Sequence, residues 1–184
     1  MLRFEEAEHR YFDGDIELPS VTTITRFCSY DSRSAAGTNP FYRDRGTKIH
    51  ELCADYDYTG ELQTGTGVDG YLQAYADFVR DYRPKWDWIE HMVGNAKLGF
   101  AGTIDRMGTI DGKQTILDIK SGTHINKLAL TAQLTGYAAL TEATETNLWG
   151  LQLMKNGKYR VIPVEFDYEV WTSCVVLHMG GLKK

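Results

Sequence analysis

Two aspartates and a lysine of this sequence, Asp105, Asp118 and Lys120, are predicted to meet on one β-hairpin. The dipeptide Asp111-Gly112 favours a two-residue turn, and in the register set by that turn Asp105 faces Asp118. Facing side chains lie on one side of a sheet with β-carbons roughly 4.5 to 5.5 Å apart, where like charges repel each other. A divalent cation between the carboxylates offsets the repulsion, and hard oxygen ligands suit Mg²⁺ or Mn²⁺.

The residues after Asp118 extend this group. Lys120 lies two positions further along the strand and therefore on the same face. Ile119 points its side chain to the other face, so its backbone carbonyl is a plausible ligand near the predicted cation. An alternative interpretation is a solvated face with an ordinary Asp-Lys network, since charged residues are mostly exposed. Apolar neighbours instead favour central strands and a chemical role for the three residues: Ile104, Ile116 and Leu117.

Hydrophobic periodicity predicts the helices and strands that position this hairpin. A short hairpin is predicted around Asp13-Gly14, a helix start at Pro19-Ser20, and a mobile connection over residues 29 to 46. Helices are predicted at residues 47 to 58, 68 to 82 and 126 to 141, with a last helix from about Asp167. Strands are predicted at residues 86 to 93, 99 to 110, 113 to 120, 147 to 155 and 159 to 165. We expect one α/β domain over residues 1 to 184, with an N-terminal hairpin and helices in 1 to 84 and a catalytic sheet core in 85 to 184.

Length and composition fit a single globular domain. The 184 residues are 42% hydrophobic and 24% charged, which excludes a mostly disordered chain. No apolar stretch approaches the ~18 residues of a membrane span and the N-terminus lacks a secretory layout, so we expect a soluble intracellular protein. The formal charge of -5 gives no overall basic signature for nucleic acid, although a local basic rim can still meet phosphates. Three distant cysteines, Cys28, Cys53 and Cys174, predict buried reduced thiols.

The segment GFAGTIDRMGTIDGKQTILDIKSG, residues 99 to 122, resembles the catalytic hairpin of PD-(D/E)XK nucleases. The resemblance is to the branch that contains the RecB nuclease domain, mitochondrial genome maintenance exonucleases and phage exonucleases. It extends to PSVTTIT near the N-terminus, RGTKIH at residues 45 to 50 and QLTGYAAL at residues 133 to 140. It implies a restriction-endonuclease-like core, a central mixed β-sheet flanked by helices in the order α-β-β-β-α-β.

The resemblance also implies roles for individual residues. Asp105 and Asp118 would bind Mg²⁺ or Mn²⁺, Lys120 would contact the attacking water or the scissile phosphate, and His50 would complete the metal shell. A lone histidine between apolar residues of a helix is otherwise often structural. Glu90 matches a glutamate that serves a second metal or orients the lysine, and a surface position is the alternative.

Further candidates surround this group. Gln133 and Tyr137 lie four apart on one helix face, which in the resembling branch lies beside the site and the DNA, although an amphipathic helix packed on the sheet also explains Tyr137. Ser121 and Thr123 follow Lys120 in a turn that either meets phosphate oxygens or only reverses the chain. A basic rim is predicted from Arg45, Lys48 and Arg106, with Arg43 and Lys127, and base stacking from Tyr42, Trp86 and Trp88.

The sequence therefore predicts a metal-dependent DNA nuclease, an exonuclease on single-stranded or end-frayed DNA in recombination, repair or phage DNA processing. The resemblance implies a location in the cytoplasm of a bacterial or phage-infected cell and DNA as the partner, with no membrane. Iron-sulfur cysteines and helicase motifs of some relatives are absent, so the domain would act alone, as a homo-oligomer or with a recombination or replication protein. Two alternatives remain open: a catalytically silent nucleic-acid-binding or assembly module with the same fold, and a small-molecule metallohydrolase.

Overall fold

The computed structural model of the protein describes residues 1–5, 10–29, 40–143 and 145–181. Its strands are β1 (Leu2–Glu5), β2 (Arg10–Asp13), β3 (Ile16–Leu18), β4 (Lys85–Asn95), β5 (Phe100–Ile110), β6 (Lys113–Lys120), β7 (Asn147–Leu153) and β8 (Tyr159–Val164). Its helices are α1 (Val21–Ile24), α2 (Pro40–Thr59), α3 (Asp69–Tyr82), α4 (Lys127–Thr141) and α5 (Tyr168–Gly181), with a 3-10 helix at Thr25–Ser29.

A five-stranded mixed sheet in the order β4-β5-β6-β7-β8 forms the centre of the protein. Strands β6 and β7 are parallel and are joined across one face by α4, whereas the other neighbours are antiparallel. A separate antiparallel sheet, β1-β2-β3, is the N-terminal sheet. The predicted α/β class with helices around a mixed sheet is thus confirmed.

Helices cover both faces of the five-stranded sheet because its central strands are apolar on both sides. Ile116 on β6 packs in a core cluster with α1, α4 and α5, whereas the next residue, Leu117, packs in a cluster with α2 and α3. This alternation is the period of two that a strand imposes on its side chains. The strands that carry the predicted chemistry therefore lie in the middle of the fold.

Most predicted elements are confirmed to within a few residues. The turn at Asp13-Gly14 is present, and Ser20 is the N-cap of α1 because its side chain accepts a hydrogen bond from Thr23 N–H. The predicted mobile connection is wrong over residues 40 to 46, which are the first turns of α2, and its residues 30 to 39 lie outside the described part of the chain. Strand β1 was not predicted and turns the expected N-terminal hairpin into a three-stranded sheet.

The cysteine prediction is wrong for two of the three residues. Cys28 in the 3-10 helix and Cys174 in α5 form a disulfide across 146 positions of sequence. Cys53 is a free buried thiol, as predicted. Cysteines this far apart give no local signal, since only the packing of α5 beside the 3-10 helix brings them together.

In the described part of the chain, no helix has the length and apolar character needed to cross a membrane.

Gly108 tests the packing between β4 and β5. A β-carbon at Gly108 would collide with the backbone carbonyl of Lys85, where the register between the two strands shifts. We expect Gly108→Ala to lower the free energy of unfolding by about 1–3 kcal/mol, measured by urea denaturation, because the backbone of β4 must move. Gly46→Ala in α2 is the control. Apart from the backbone of its own helix and its chain neighbours, no atom of the described residues lies within 4 Å of the added carbon, so stability should stay equal or rise by up to about 1 kcal/mol. Equal stability of the two variants would contradict this packing.

Candidate functional site

Strands β5 and β6 separate where the predicted site begins. Their ladder runs from the turn to the pair Arg106–Leu117, which confirms the predicted two-residue turn. Beyond that pair, at what we call the strand fork, Asp105 Oδ2 accepts a hydrogen bond of 2.6 Å from the backbone N–H of Ile119. The predicted register is confirmed for every pair from the turn to Arg106–Leu117, and the ladder ends one pair before Asp105 and Asp118. The carboxylate of Asp105 replaces a strand hydrogen bond and is fixed at the fork.

Glu90 lies beside Asp105 on the neighbouring strand. It sits on β4 between residues that pair with Arg106 and Ile104 of β5. Its φ of 46° is in the left-handed region, which a residue with a side chain rarely adopts within a strand. Such backbone strain persists only where surrounding contacts hold it, and it clusters at functional sites. The predicted alternative of a plain surface position for Glu90 is wrong, because its side chain is one third exposed and is ion-paired.

His50 of α2 joins the two carboxylates. Its Nδ1 lies 3.4 Å from Glu90 Oε1 and 3.6 Å from Asp105 Oδ2, and its Nε2 lies 3.1 Å from the Ile119 carbonyl oxygen. One ligand atom from each of His50, Glu90 and Asp105 falls within 4.8 Å of the others, a spacing that one metal ion can bridge. The predicted backbone ligand, the Ile119 carbonyl, therefore lies at this cluster.

Asp118 and Lys120 form a second group with Gln133 of α4. Lys120 Nζ lies 2.7 Å from Asp118 Oδ2 and donates to Gln133 Oε1 at 3.0 Å. The Gln133 amide nitrogen donates to Asp118 Oδ1 at 2.7 Å and lies 3.5 Å from the hydroxyl of Tyr137. The one glutamine thus holds both the carboxylate and the ammonium, and Gln133 and Tyr137 lie at the site as predicted.

Burial makes the electrostatics of these carboxylates unfavourable without cations. The pKa of Asp105 is raised to about 7, because burial and the negative charges of Asp118 and Glu90 outweigh the positive charges of His50 and Lys120. Burial lowers the pKa of His50, but Asp105 and Glu90 reverse this effect and raise it to about 9. Burial likewise lowers the pKa of Lys120, and Asp118 and Asp105 raise it above its usual value. Lys120 therefore keeps its proton at neutral pH.

The donor set fits a hard divalent cation. Among the described residues, no donor makes a well-directed hydrogen bond to Asp118 Oδ2, whose contact with Lys120 is an ion pair. Carboxylate oxygens, a backbone carbonyl and one imidazole are ligands that suit Mg²⁺ or Mn²⁺. Asp105 is shared between the two groups, since the charge of Asp118 acts on both Asp105 and His50.

A cavity of about 170 Å³ opens beside Lys120 and Gln133 and reaches His124 and Asn126 at the start of α4. A second, more open depression of about 650 Å³ lies at the other end of the hairpin, next to Gly112, and contains none of the residues described above. The smaller cavity therefore borders the Lys120–Gln133 side of the candidate site.

The prediction that Arg106 belongs to an exposed basic rim is wrong. Its side chain is fully buried and its guanidinium pairs with Asp57 and Glu90. Charged side chains are almost never fully buried without such partners. No part of the guanidinium is accessible to a phosphate.

The other predicted DNA contacts are partly accessible. Arg45 donates to the carbonyl of Ser121 at 3.2 Å, and its guanidinium lies over the ring of Tyr42. Lys48 is exposed and donates to the Thr66 carbonyl, whereas Thr123 is exposed after the end of β6. Arg43 and Lys127 are also exposed. Of the predicted stacking residues Tyr42 is the accessible one, since Trp86 and Trp88 pack half-buried against the two core clusters.

Tyr11 is a residue of the site that sequence reasoning missed. It lies on β2 with 2% of its surface exposed, and its hydroxyl shares a hydrogen bond of 2.8 Å with Thr103. Burial raises its pKa, and the charges of Asp105 and Glu90 add to this effect. The alternation of the short strand was the available signal that Tyr11 points inward, but nothing local placed that strand against β5.

The chain matches no protein-family model and no curated protein sequence.

The charge of His50 can be tested in the metal-free protein. We expect the imidazole to titrate with a midpoint near 9, because Asp105 and Glu90 stabilise its protonated form. Since this value lies above the ordinary 6.5, its contribution to stability is present below about pH 6.5 and is lost as pH rises through about 9. NMR titration in the presence of a chelator measures the midpoint, and His50→Gln assigns the resonance. A midpoint at or below 6.5 would contradict the described cluster.

Proposed function

We propose that the protein is a metal-dependent nuclease of the PD-(D/E)XK type that hydrolyses phosphodiester bonds of DNA. The observation that supports this most directly is the convergence of Asp105, Asp118 and Lys120 at the strand fork, with His50 and Glu90 beside them. An ordinary surface network does not explain them, because Asp118 is 2% exposed and Asp105 is 8% exposed. Strongly perturbed ionisable groups in one place are typical of catalytic sites.

The order of elements supports a restriction-endonuclease-like core. Helix α2 precedes the antiparallel strands β4, β5 and β6, and α4 then crosses to the parallel strand β7. This is the order α-β-β-β-α-β, with β8 added at the edge. The strand fork lies between the second and third of these antiparallel strands, β5 and β6.

His50, Glu90 and Asp105, whose ligand atoms lie within 4.8 Å of one another, would hold the cation together with the Ile119 carbonyl. Asp118, which lies outside that group, would join as the family pattern implies. A bound divalent cation lowers the pKa of a water and neutralises charge that develops on the phosphate. Lys120 keeps its proton, so we assign it the task of orienting the attacking water and stabilising the negative phosphate oxygens. Gln133 accepts a hydrogen bond of 3.0 Å from the Lys120 ammonium and so holds it beside Asp118.

Accessible cations near the site support a nucleic-acid substrate. Arg45 on α2 contacts the backbone of Ser121 at the end of β6, and Lys48, which contacts the Thr66 carbonyl, is exposed on the same helix. Phosphate contacts of this kind position a strand without reading its sequence. We propose single-stranded or end-frayed DNA as the substrate, cleaved from an end.

One observation favours the alternative of a binding or assembly module without turnover. The formal charge is -5, and the burial of Arg106 removes one predicted basic contact. Binding of a labelled DNA strand without cleavage in Mn²⁺ would select this alternative. Cleavage of a simple phosphate ester but not of DNA would instead select a small-molecule metallohydrolase.

Separate replacements of Asp118 and Lys120 test the proposed chemistry. We expect Asp118→Asn and Lys120→Ala each to reduce Mn²⁺-dependent cleavage of a labelled single strand by about 10²–10⁴-fold, because each removes charge at the reacting phosphate. The matched controls lie on the same hairpin: Asp111→Asn in the exposed turn and Lys113→Ala at the exposed start of β6 should keep full activity. Full cleavage by either site variant would refute the assignment, and so would undiminished cleavage by the native protein in excess chelator.

A further inference from the structure

Arg106 makes an unusual set of contacts for a fully buried arginine. Its Nε donates to Asp57 Oδ2 at 2.6 Å and to the Tyr75 hydroxyl at 3.2 Å. Its Nη1 donates to Glu90 Oε1 at 2.9 Å and to the backbone carbonyl of Asp105 at 2.6 Å. One guanidinium therefore connects a carboxylate of α2, a hydroxyl of α3 and two residues of the candidate cation cluster.

The Nη1 contacts of Arg106 are with the Glu90 carboxylate and the Asp105 backbone carbonyl, two groups that neighbouring backbone pairs restrain poorly. Glu90 holds a left-handed backbone within β4, and its carboxylate is kept between Arg106 on one side and His50 on the other. Although burial raises the pKa of Glu90, the contacts with His50 and Arg106 lower it below its ordinary value. The Asp105 carbonyl lies at the strand fork, where the β5–β6 ladder no longer restrains the backbone.

Asp57 forms a buried ion pair with Arg106. Its side chain is 4% exposed, and it lies seven positions after His50 on α2, about two turns along the same helix face. Because a buried guanidinium needs a compensating charge, Asp57 keeps Arg106 paired whether or not Glu90 binds a cation. The same helix thus presents His50 directly to the cluster and Asp57 to the residue that holds Glu90.

We propose that Arg106, held by Asp57, is a positioning residue that orients Glu90 and the Asp105 backbone for binding of the divalent cation. This inference rests on the proposed function, because it assumes that the cluster binds a metal. A buried arginine with a merely structural role would need no contact with Glu90, since Asp57 and Tyr75 already pair it. Its Nη2 forms no hydrogen bond in the described residues, so the arginine is not arranged for the greatest number of bonds to the core.

Direct Mn²⁺ binding by isothermal titration calorimetry tests this role without depending on catalysis. We expect Arg106→Lys, which keeps the charge but loses the forked geometry, to weaken Mn²⁺ binding by about 10–100-fold, the usual effect of losing a residue that orients a metal ligand. Half-maximal cleavage should require a correspondingly higher Mn²⁺ concentration, with kcat recovered at saturation and KM for DNA unchanged. Unchanged Mn²⁺ affinity in a folded Arg106→Lys protein would overturn the proposal.

A double-mutant cycle shows whether Arg106 acts through Glu90. Glu90→Gln combined with Arg106→Lys should weaken Mn²⁺ binding by clearly less than the product of the two single losses, because part of the effect of Arg106 passes through Glu90. Additive losses would mean that Arg106 acts elsewhere and would overturn the proposal.

Asp57→Asn keeps the test decisive if Arg106→Lys does not fold. It leaves every candidate ligand in place but removes the charge that holds Arg106, so it should weaken Mn²⁺ binding in the same direction. The control is Asp55→Asn, at an exposed aspartate of α2 whose side chain accepts a hydrogen bond from Gln63, and this variant should bind Mn²⁺ as the native protein does. A lower melting temperature with native Mn²⁺ affinity in Asp57→Asn would assign a structural role and overturn the proposal. Mn²⁺ binding without any DNA cleavage by the native protein would refute the proposed function alone, and absence of Mn²⁺ binding would overturn the inference.

Discussion

The repulsion among three carboxylates in a space largely closed to water is the constraint on which the rest of the site depends. Asp105 and Asp118 are buried, Glu90 is one third exposed, and their mutual charge contributes to the raised pKa of Asp105. Taking charges out of water costs several kcal/mol per ion unless partners offset it. Three cationic side chains from different elements form ion pairs with these carboxylates and offset the repulsion: His50 from α2, Arg106 from β5 and Lys120 from β6.

These three cationic side chains differ in their exposure to solvent. Arg106 is fully buried and pairs with Glu90, whereas His50 and Lys120 are both partly exposed to solvent. The strand fork makes this arrangement geometrically possible, because separation of β5 from β6 frees the Ile119 backbone for Asp105 and His50. Helices on the two faces of the sheet each contribute a side chain to the site: His50 from α2 and Gln133 from α4.

Local patterns were sufficient for the hairpin and for most elements, because a turn dipeptide and a period of two are written into consecutive residues. Spacing along α4 put Gln133 and Tyr137 on one helix face, whereas only the resemblance put that face beside Lys120. The fate of Arg106, the Cys28–Cys174 disulfide and the place of Tyr11 depended instead on contacts between residues far apart in sequence. Periodicity predicts the face of a strand on which a side chain lies. It does not predict that a carboxylate of another element, such as Asp57 of α2 for Arg106, lies against that face. The register was predictable from the turn, but the end of the ladder was not, since beyond Arg106–Leu117 the side chain of Asp105 accepts a hydrogen bond from Ile119.

Anomalous diffraction from crystals soaked in Mn²⁺ tests whether these carboxylates surround a divalent cation. We expect an anomalous peak within about 2.5 Å of an Asp105 carboxylate oxygen, with further ligands from Asp118, His50, Glu90 or the Ile119 carbonyl. A peak that lies only at other acidic side chains, or a fully loaded crystal with no peak at the strand fork, would contradict it.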